Sequence, residues 1–286
     1  MQQDEASLTV PLVVNVATMN VGNGMAPDDR LINAIREINP DIVALEELNR
    51  RQARVLEEAL RDTWPHQFTF SDGYEGRGVF SIYPFRRKQE LSIATGRPDA
   101  LVELEIEDNV VTVLVGHPRP PKLRGRTLEI PFASHRQILR LADLALQSAP
   151  AILLGDFNMR PDNTIYARLR ERGLVDAFVE SGEGPERTFP VRVVRSKPFA
   201  GRQVRVKTPP LFRLDYVWHT PDIRSVATWV GGDTGSDHLP VISRLAIPRA
   251  QRASSGESEG DRRPEPSETL ESRRQAAGMG WMSGAP

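Results

Sequence analysis

Eight polar residues of the kinds that bind metals or transfer protons stand at or near the ends of apolar segments. They are Asn20, Glu47, His117, Asp156, Asn158, Asp215, Asp237 and His238. In α/β folds, catalytic and binding residues collect at the ends of strands. Carboxylates gathered there would repel one another unless one of them took up a proton or a cation lay between them. Because the chain has no cysteine, its oxygen ligands favour a hard ion, Mg²⁺ or Mn²⁺.

Four of these residues also have a structural explanation when they are considered alone. Asp156 and Asn158 of GDFN would face the same way on an extended backbone, but Asp and Asn are also common in turns. Glu47 lies between an apolar run and a helical pattern, where a negative charge favours a helix N-terminus. His117 could simply cap its strand. The complete set, rather than any one member, predicts a site.

The segments around these residues read as strands separated by a few helices. The predicted strands lie in LTVPLVVNVATMN, DIVALEELN, VVTVLVGHPRPP, PAILLGDFNMRP, LFRLDYVWH and GSDHLPVISRL. An apolar stripe at helical spacing marks DDRLINAIREINP, RRQARVLEEALRD and SHRQILRLADLALQ. Strands dominate the middle and the end of the chain. This mixture predicts an α/β sandwich with sheets inside and helices outside, and not an alternating doubly wound sheet.

Composition divides the chain into three parts. We predict a flexible N-terminus over residues 1–8, one domain over 9–248, and a disordered mixed-charge tail over 249–286, which is rich in Ser, Gly, Pro, Arg and Glu. The acidic start lacks a signal-peptide pattern, and no run approaches the roughly 18 apolar residues of a membrane span. We therefore expect a cytoplasmic protein, and a monomer. The net charge of −1 gives the whole chain no general attraction for polyanions.

Basic residues concentrate between Arg187 and Arg213, within the stretch that separates GDFN from RLDYVWH. This run has no acidic residue and contains Arg192, Arg195, Lys197, Arg202, Arg205 and Lys207. It is either a solvated hairpin whose charge is balanced elsewhere, or a wall that steers anions toward the site. Few aromatic residues are interspersed, so stacking on single-stranded bases is not strongly indicated. We favour a phosphodiester substrate, and nucleic acid over a lipid head group.

Six segments in order resemble the endonuclease/exonuclease/phosphatase superfamily, which includes the deoxyribonuclease I, exonuclease III, neutral sphingomyelinase and inositol-polyphosphate 5-phosphatase groups. They are NPDIVALEEL, GRGVFSIYP, VLVGHPRPP, ILLGDFNMRP, RLDYVWH and GSDHLPV. The resemblance covers about residues 10–247, and its most specific feature is GDFN followed later by SDH. It implies a four-layer α/β (α+β) sandwich in which two packed, mainly antiparallel β-sheets are flanked by helices. It also implies Mg²⁺-dependent hydrolysis of phosphate esters, with Mn²⁺ as an alternative ion.

The resemblance assigns three residues to a metal site. Glu47 corresponds to the metal-binding glutamate of the family, Asn20 to the asparagine that ends the first strand beside the metal, and Asp237 to a second carboxylate near it. The family usually has Gln-Glu where this chain has Glu46-Glu47. The ligand is therefore assigned to Glu47 by position.

The resemblance assigns five further residues to catalysis. Asp156 and Asn158 correspond to the pair that orients the attacking water and contacts the phosphate. His238 corresponds to the catalytic histidine, and Asp215 to the aspartate that orients it. His117 corresponds to a histidine of the deoxyribonuclease, sphingomyelinase and inositol-phosphatase branches, and is a candidate acid for the leaving group.

We therefore expect a Mg²⁺-dependent phosphoester hydrolase, most simply a nuclease-like phosphodiesterase that acts by water attack on phosphorus. One alternative is a phosphoesterase for phospholipid, sphingomyelin-type or inositol-phosphate substrates. An alternative of another class is a catalytically silent binding module with the same fold, which the complete set of polar positions disfavours. GHPRPP replaces the Pro-Asn motif usual in apurinic endonucleases, which argues against abasic-site repair.

Overall fold

The computed structural model describes residues 10–94, 96–125, 127–194 and 205–249. The predicted N-terminal segment and all but the first residue of the predicted tail lie outside these ranges, so the predictions for both stay predictions. No helix in the described part of the chain is long and apolar enough to cross a membrane.

Each segment predicted as a strand or a helix contains a described element of that kind, and the structure adds further strands and two helices outside those segments. The strands are β1 (Leu12–Asn20), β2 (Ile42–Glu46), β3 (His66–Phe70), β4 (Arg77–Ser81), β5 (Phe85–Ala94), β6 (Arg97–Ile106), β7 (Asn109–Val115), β8 (Lys122–Arg124), β9 (Thr127–Glu129), β10 (Ala151–Asp156), β11 (Val175–Asp176), β12 (Gly182–Glu183), β13 (Arg192–Val194), β14 (Arg205–Lys207), β15 (Asp215–His219), β16 (Arg224–Val230) and β17 (Val241–Ile247). The helices are α1 (Asp28–Ile38), α2 (Arg50–Ala59), α3 (Phe132–Gln147), α4 (Thr164–Glu171) and α5 (Ala177–Ser181), with a 3₁₀ turn at Gly73–Glu75.

The local sequence explains where the first two helices begin. Asp28 and Asp29 place negative charge in the first turn of α1, where the helix dipole favours it. Asn49 caps α2 by accepting a hydrogen bond from the backbone N–H of Gln52. The apolar stripe predicted for α1 is buried at Leu31 and Ile35. Both helices therefore have the amphipathic form that a covering layer needs.

Two large sheets form the centre of the fold. One has the strand order β12-β16-β17-β1-β2-β4-β3, and the other has the order β11-β15-β10-β7-β6-β5. Neighbouring strands run antiparallel except in the pairs β1–β2, β7–β10 and β12–β16. This topology confirms the predicted pair of mainly antiparallel sheets, and it is not an alternating doubly wound sheet.

Three apolar clusters separate the layers. The first takes side chains from strands of both sheets, including β1, β2, β7, β10 and β15, and so lies between the sheets. The second joins β6, β7, β10 and β15 to α3 and α4, and the third joins β1, β2 and β4 to α1 and α2. The order of layers is therefore helices, sheet, sheet, helices, which confirms the predicted four-layer sandwich.

Strand alternation brings polar side chains together at one end of the layer between the sheets. Successive inward positions on β10 are Ile152 and Leu154, and the next is Asp156. On β1 the same alternation leads from Val16 through Thr18 to the buried Asn20. The apolar core of the sandwich thus ends in a buried polar cluster. That cluster is the candidate site.

Gly155 lets two strands approach closely beside this cluster. Its φ of 137° lies in a region that side chains disfavour, and a Cβ there would lie 2.0 Å from the carbonyl oxygen of Gly116. We predict that Gly155→Ala destabilises the domain by about 2 kcal/mol or more, because β10 must move away from β7 or become strained. The melting temperature should fall by roughly 2–4 °C for each kcal/mol in a domain of this size. Gly232→Ala, where a Cβ meets nothing within 4 Å, should leave it nearly unchanged.

Candidate active site

Asp156 lies at the centre of the cluster, fully surrounded by protein. Asn20 donates from Nδ2 to Asp156 Oδ2 at 2.9 Å, and the backbone N–H of Asn158 donates to Oδ1 at 2.9 Å. Burial raises the pKa of Asp156, the charge of His238 and these hydrogen bonds oppose the rise, and the nearby Asp215 adds to it, so the net shift is upward. The result is an oriented carboxylate that readily accepts a proton.

Asn158 reaches Asp156 by a different route from the one predicted. β10 ends at Asp156, and Asn158 has a left-handed backbone with a φ of 50°. The two residues therefore meet through a tight turn closed by the Asp156 side chain, rather than through strand alternation. Asn158 Nδ2 lies 3.4 Å from Asp156 Oδ2 and 3.1 Å from the Pro118 carbonyl oxygen, while Phe157 is buried in the core as expected.

His238 connects two of the buried acids. Its Nδ1 lies 2.9 Å from Asp215 Oδ2, and its Nε2 lies 3.7 Å from Asp156 Oδ2. Burial lowers the pKa of His238, but the carboxylates of Asp215 and Asp156 outweigh it, so the net shift is upward. Phe189 packs against the imidazole with 4.5 Å between ring centroids. Within the described chain, Asp156, Asp215 and His238 form a compact acid–imidazole group.

The two adjacent glutamates have different environments. Glu46 is fully buried at the end of β2, where it accepts a hydrogen bond from the Thr18 hydroxyl at 2.9 Å. Glu47 follows the strand with a φ of 55°, and its side chain is 15% exposed. Burial raises the pKa of both carboxyls. Only the Glu47 carboxylate, of these two, opens toward the solvent-accessible side of the cluster.

Asn20 and Asp237 lie beside Glu47. A hydrogen bond from Asn20 lowers the pKa of Glu47, whereas the charge of Asp237 raises it. Ser236 donates from Oγ to Asp237 Oδ1 at 3.3 Å. Of the three residues predicted to hold a metal, Asn20 and Asp237 therefore lie near Glu47, and all three carry side-chain oxygen atoms. Such a donor set suits a hard divalent cation, which would also relieve the repulsion between the carboxylates.

His117 lies next to both Asp156 and Glu47. Its Nε2 is 3.4 Å from Asp156 Oδ2 and 3.6 Å from Glu47 Oε1. Arg97 Nη1 approaches the ring nitrogens at 2.9 and 3.2 Å, and because a guanidinium can only donate, the ring must provide an acceptor. Burial and the charges of Arg77 and Arg97 hold the pKa of His117 well below its usual value. The imidazole is therefore neutral.

Two arginines of the site were not predicted from the sequence. Arg77 is fully buried, and it donates to the carbonyl oxygens of Gly76 at 2.8 Å and of His117 at 3.3 Å. Burial lowers the pKa of Arg77 to about 10. Arg97 is half-buried and also donates to the Tyr74 carbonyl oxygen. Arg77 stood within the GRGVFSIYP motif, but nothing in the sequence around Arg97 marked it.

Part of the basic run forms the hairpin β13–β14. Arg192 donates to both carboxylate oxygens of Asp233, and Lys207 Nζ lies 3.0 Å from Asp233 Oδ2. An acid from outside the run therefore neutralises part of it. Arg205 is exposed and makes no ion pair with the described residues. Arg195, Lys197 and Arg202 lie outside the described residues.

The protein is a four-layer α/β sandwich with an acid–imidazole cluster at one end of its central core. The chain belongs to the Endonuclease/Exonuclease/phosphatase family, which residues 17–238 match. The resemblance predicted from the six sequence segments is confirmed. No curated protein matches the chain.

Solved structures have the same fold at low sequence identity. An endonuclease/exonuclease/phosphatase from Beutenbergia cavernae is 20% identical with a TM-score of 0.61, over 82% of this chain and 72% of that chain. A family protein from Bacteroides thetaiotaomicron is 17% identical with a TM-score of 0.62, over 84% of this chain and 100% of that chain. D. rerio TDP2, complexed with a single-strand DNA product, is 16% identical with a TM-score of 0.62, over 82% and 99%.

Proposed function

We propose that the protein is a Mg²⁺-dependent phosphodiesterase in which water attacks phosphorus. The observation that carries this proposal is the Asp156 carboxylate, which is held by Asn20 and Asn158 and faces the His238–Asp215 pair. The family hydrolyses phosphate esters, and its members typically use a divalent metal. The TDP2 structure with bound DNA product supports a phosphodiester substrate, although at 16% identity it shares the fold and not a demonstrated substrate.

Glu47, Asn20 and Asp237 would hold the ion, Mg²⁺ or alternatively Mn²⁺. When bound, the ion would supply Lewis-acid polarisation of a phosphoryl oxygen and stabilise charge on the departing oxygen. Glu47 is the leading ligand, because Glu46 is fully buried and already accepts a hydrogen bond from the Thr18 hydroxyl.

Four side chains of the protein would carry out the remaining steps of catalysis. Asp156 orients the attacking water and takes its proton, since both carboxylate oxygens are fixed by hydrogen bonds. Asn158 donates from its amide to the charge that develops on the phosphoryl oxygens. His238, held by Asp215, is the cationic imidazole that stabilises this charge or delivers a proton. His117 acts as a neutral hydrogen-bond donor, in preference to the acid role considered from the sequence, because Arg77 and Arg97 disfavour its cation.

The proposal is tested by hydrolysis of bis-p-nitrophenyl phosphate and p-nitrophenyl phosphate at equal concentration, with Mg²⁺ or with EDTA. A phosphodiesterase hydrolyses the first faster than the second, and only with the ion. Faster hydrolysis of the monoester would instead support an inositol-phosphate type of phosphatase. No hydrolysis of either ester would support the silent binding module. The cytoplasmic location and the monomeric state remain predictions from the sequence.

The basic hairpin gives a prediction about substrate attraction. Arg205→Ser should raise the KM for a DNA oligonucleotide. It should also lower the slope of log KM against log salt concentration by about one, as expected for one lost phosphate contact. Lys207→Ser is the matched control in the same hairpin, with a smaller effect because Asp233 already neutralises Lys207. Equal salt slopes for Arg205→Ser and the parent protein would mean that the hairpin is only a solvated surface.

A further inference from the structure

Thr188 is a fully buried residue that contacts two of the chain segments from which the catalytic cluster is built. Its hydroxyl oxygen accepts a hydrogen bond from the backbone N–H of Leu214 at 3.1 Å. Its backbone carbonyl oxygen accepts another from the N–H of Leu239 at 2.9 Å. Leu214 directly precedes Asp215, and Leu239 directly follows His238. Thr188 therefore joins the segments that carry the two members of the Asp215–His238 pair.

The hydrogen bonds continue from Leu214 to a third segment of the cluster. The carbonyl oxygen of Leu214 accepts from the backbone N–H of Phe157 at 2.9 Å. Phe157 lies between Asp156 and Asn158, the residues proposed to orient the water and to contact the phosphate. Leu214 is thus fixed through its N–H by Thr188 and through its carbonyl by the GDFN turn. One buried hydroxyl is linked in this way to all three segments.

The short distances within the cluster depend on how these segments are aligned. His238 Nδ1 lies 2.9 Å from Asp215 Oδ2, and His238 Nε2 lies 3.7 Å from Asp156 Oδ2. Hydrogen bonds weaken steeply when their geometry departs from the normal range. A misplacement of about 1 Å, caused by a change away from the reacting atoms, can lower a rate by about 10²-fold. A residue that fixes the segments relative to one another can therefore control the rate.

We propose that Thr188 is a positioning residue whose hydroxyl oxygen, by holding Leu214, fixes the Asp215–His238 pair relative to Asp156. The inference rests on the proposed phosphodiesterase function and adds a residue that acts through the pair rather than on the substrate. Without the hydroxyl oxygen, the Leu214 N–H would lose its acceptor and the start of β15 would be free to shift. The imidazole would then face Asp156 in a less productive position.

Thr188→Val tests the hydroxyl oxygen alone, because valine has a similar shape and no side-chain acceptor. We expect the kcat for bis-p-nitrophenyl phosphate to fall by about tenfold to 10²-fold with KM unchanged, since alignment in the transition state is lost and substrate binding is not. Thr188→Ser keeps the oxygen and should have a kcat close to that of the parent. A parent-like kcat in Thr188→Val would overturn the proposal.

Thr220→Val is the matched control for the loss of a buried threonine hydroxyl. Thr220 is also fully buried, and its Oγ1 accepts from the Ala151 N–H at 2.9 Å and donates to the Ala151 carbonyl oxygen at 3.3 Å. Ala151 begins β10 and Asp156 ends it, so this contact lies roughly 16 Å from the site. Thr220→Val should lower the melting temperature as Thr188→Val does, but leave kcat unchanged. Equal losses of kcat in the two variants would mean that Thr188 contributes only stability.

A double-mutant cycle shows whether Thr188 acts through the imidazole. Once His238→Ala has removed the side chain that Thr188 positions, Thr188→Val should cause little further loss of kcat. Additive losses would mean that the hydroxyl affects turnover by another route, and the positioning role would be wrong.

The imidazole N–H of His238 provides a readout that needs no turnover. In protein with isotope-labelled histidine, the Nδ1 proton held toward Asp215 should give a low-field NMR resonance that is absent from His238→Ala. Thr188→Val should move this resonance to higher field or broaden it, whereas Thr188→Ser and Thr220→Val should leave it in place. An unmoved resonance in Thr188→Val would overturn the positioning role. If the parent hydrolyses no ester but the resonance responds as expected, the proposed function fails and the positioning of His238 by Thr188 stands.

Discussion

Asp156→Asn and His238→Ala are each expected to lower the turnover of bis-p-nitrophenyl phosphate by a factor of about 10² or more, the usual size for groups that transfer protons in a reaction. Asp156→Asn keeps the shape of the side chain but removes the base that would take a proton from water. His238→Ala removes the imidazole that faces Asp156 and is fixed by Asp215. Steady-state kinetics at saturating Mg²⁺ measure both effects.

The role of Asp215 is tested by a double-mutant cycle with His238. Because Asp215 would act through the imidazole, Asp215→Asn combined with His238→Ala should be little worse than His238→Ala alone. Additive losses would mean that Asp215 does not act by positioning His238. Asp143→Asn, a partly exposed aspartate paired with Arg172 on the outer surface, controls for the general effect of removing a carboxylate and should leave turnover unchanged.

Glu47→Gln is expected to lower the affinity for Mg²⁺ by more than the roughly 10–100-fold that loss of an outer-shell partner costs a metal site. The neutral amide removes the charge of the leading ligand while keeping its volume, so the melting temperature should change little. Titration of turnover with Mg²⁺, and calorimetric titration with Mn²⁺, measure the affinity.

Glu46→Gln is the matched control for this prediction. It makes the same chemical change one residue earlier and introduces the glutamine that the family usually has there. Glu46 is enclosed and accepts from Thr18, so its replacement should leave the metal affinity close to that of the parent. If Glu46→Gln lost the affinity and Glu47→Gln kept it, the metal assignment would have to move to Glu46.

The architecture was predictable because apolar runs with clear ends determine a sandwich core. The run that closes on Asn20 and the run that closes on Asp156 became β1 and β10, and their inward positions continue directly into the cluster. Periodicity and strand ends carry this information without knowledge of long-range contacts. The pairing of Asp237-His238 with GDFN was instead implied by the resemblance to the family, in which the two motifs occur in this order.

The remaining features depend on conformations and contacts that local patterns do not encode. Asn158 meets Asp156 through a left-handed backbone, so the prediction of their proximity was right for a different physical reason. Arg97 reaches His117 from the start of another strand and, with burial and Arg77, lowers the pKa of that imidazole. Asp233, far along the chain from the basic run, neutralises Arg192 and Lys207. Only the folded chain brings these charges together.

The metal dependence and the role of Asp156 are tested most directly by the turnover of bis-p-nitrophenyl phosphate by EDTA-treated protein before and after Mg²⁺ is restored, with Asp156→Asn measured in parallel. We predict no turnover above background without the ion and full turnover once Mg²⁺ is returned. In Asp156→Asn, turnover should fall by a factor of about 10² or more at saturating substrate, and kcat/KM should fall by a similar factor. Turnover that persists in EDTA, or that is the same in the parent protein and in Asp156→Asn, would contradict the proposed metal-dependent mechanism.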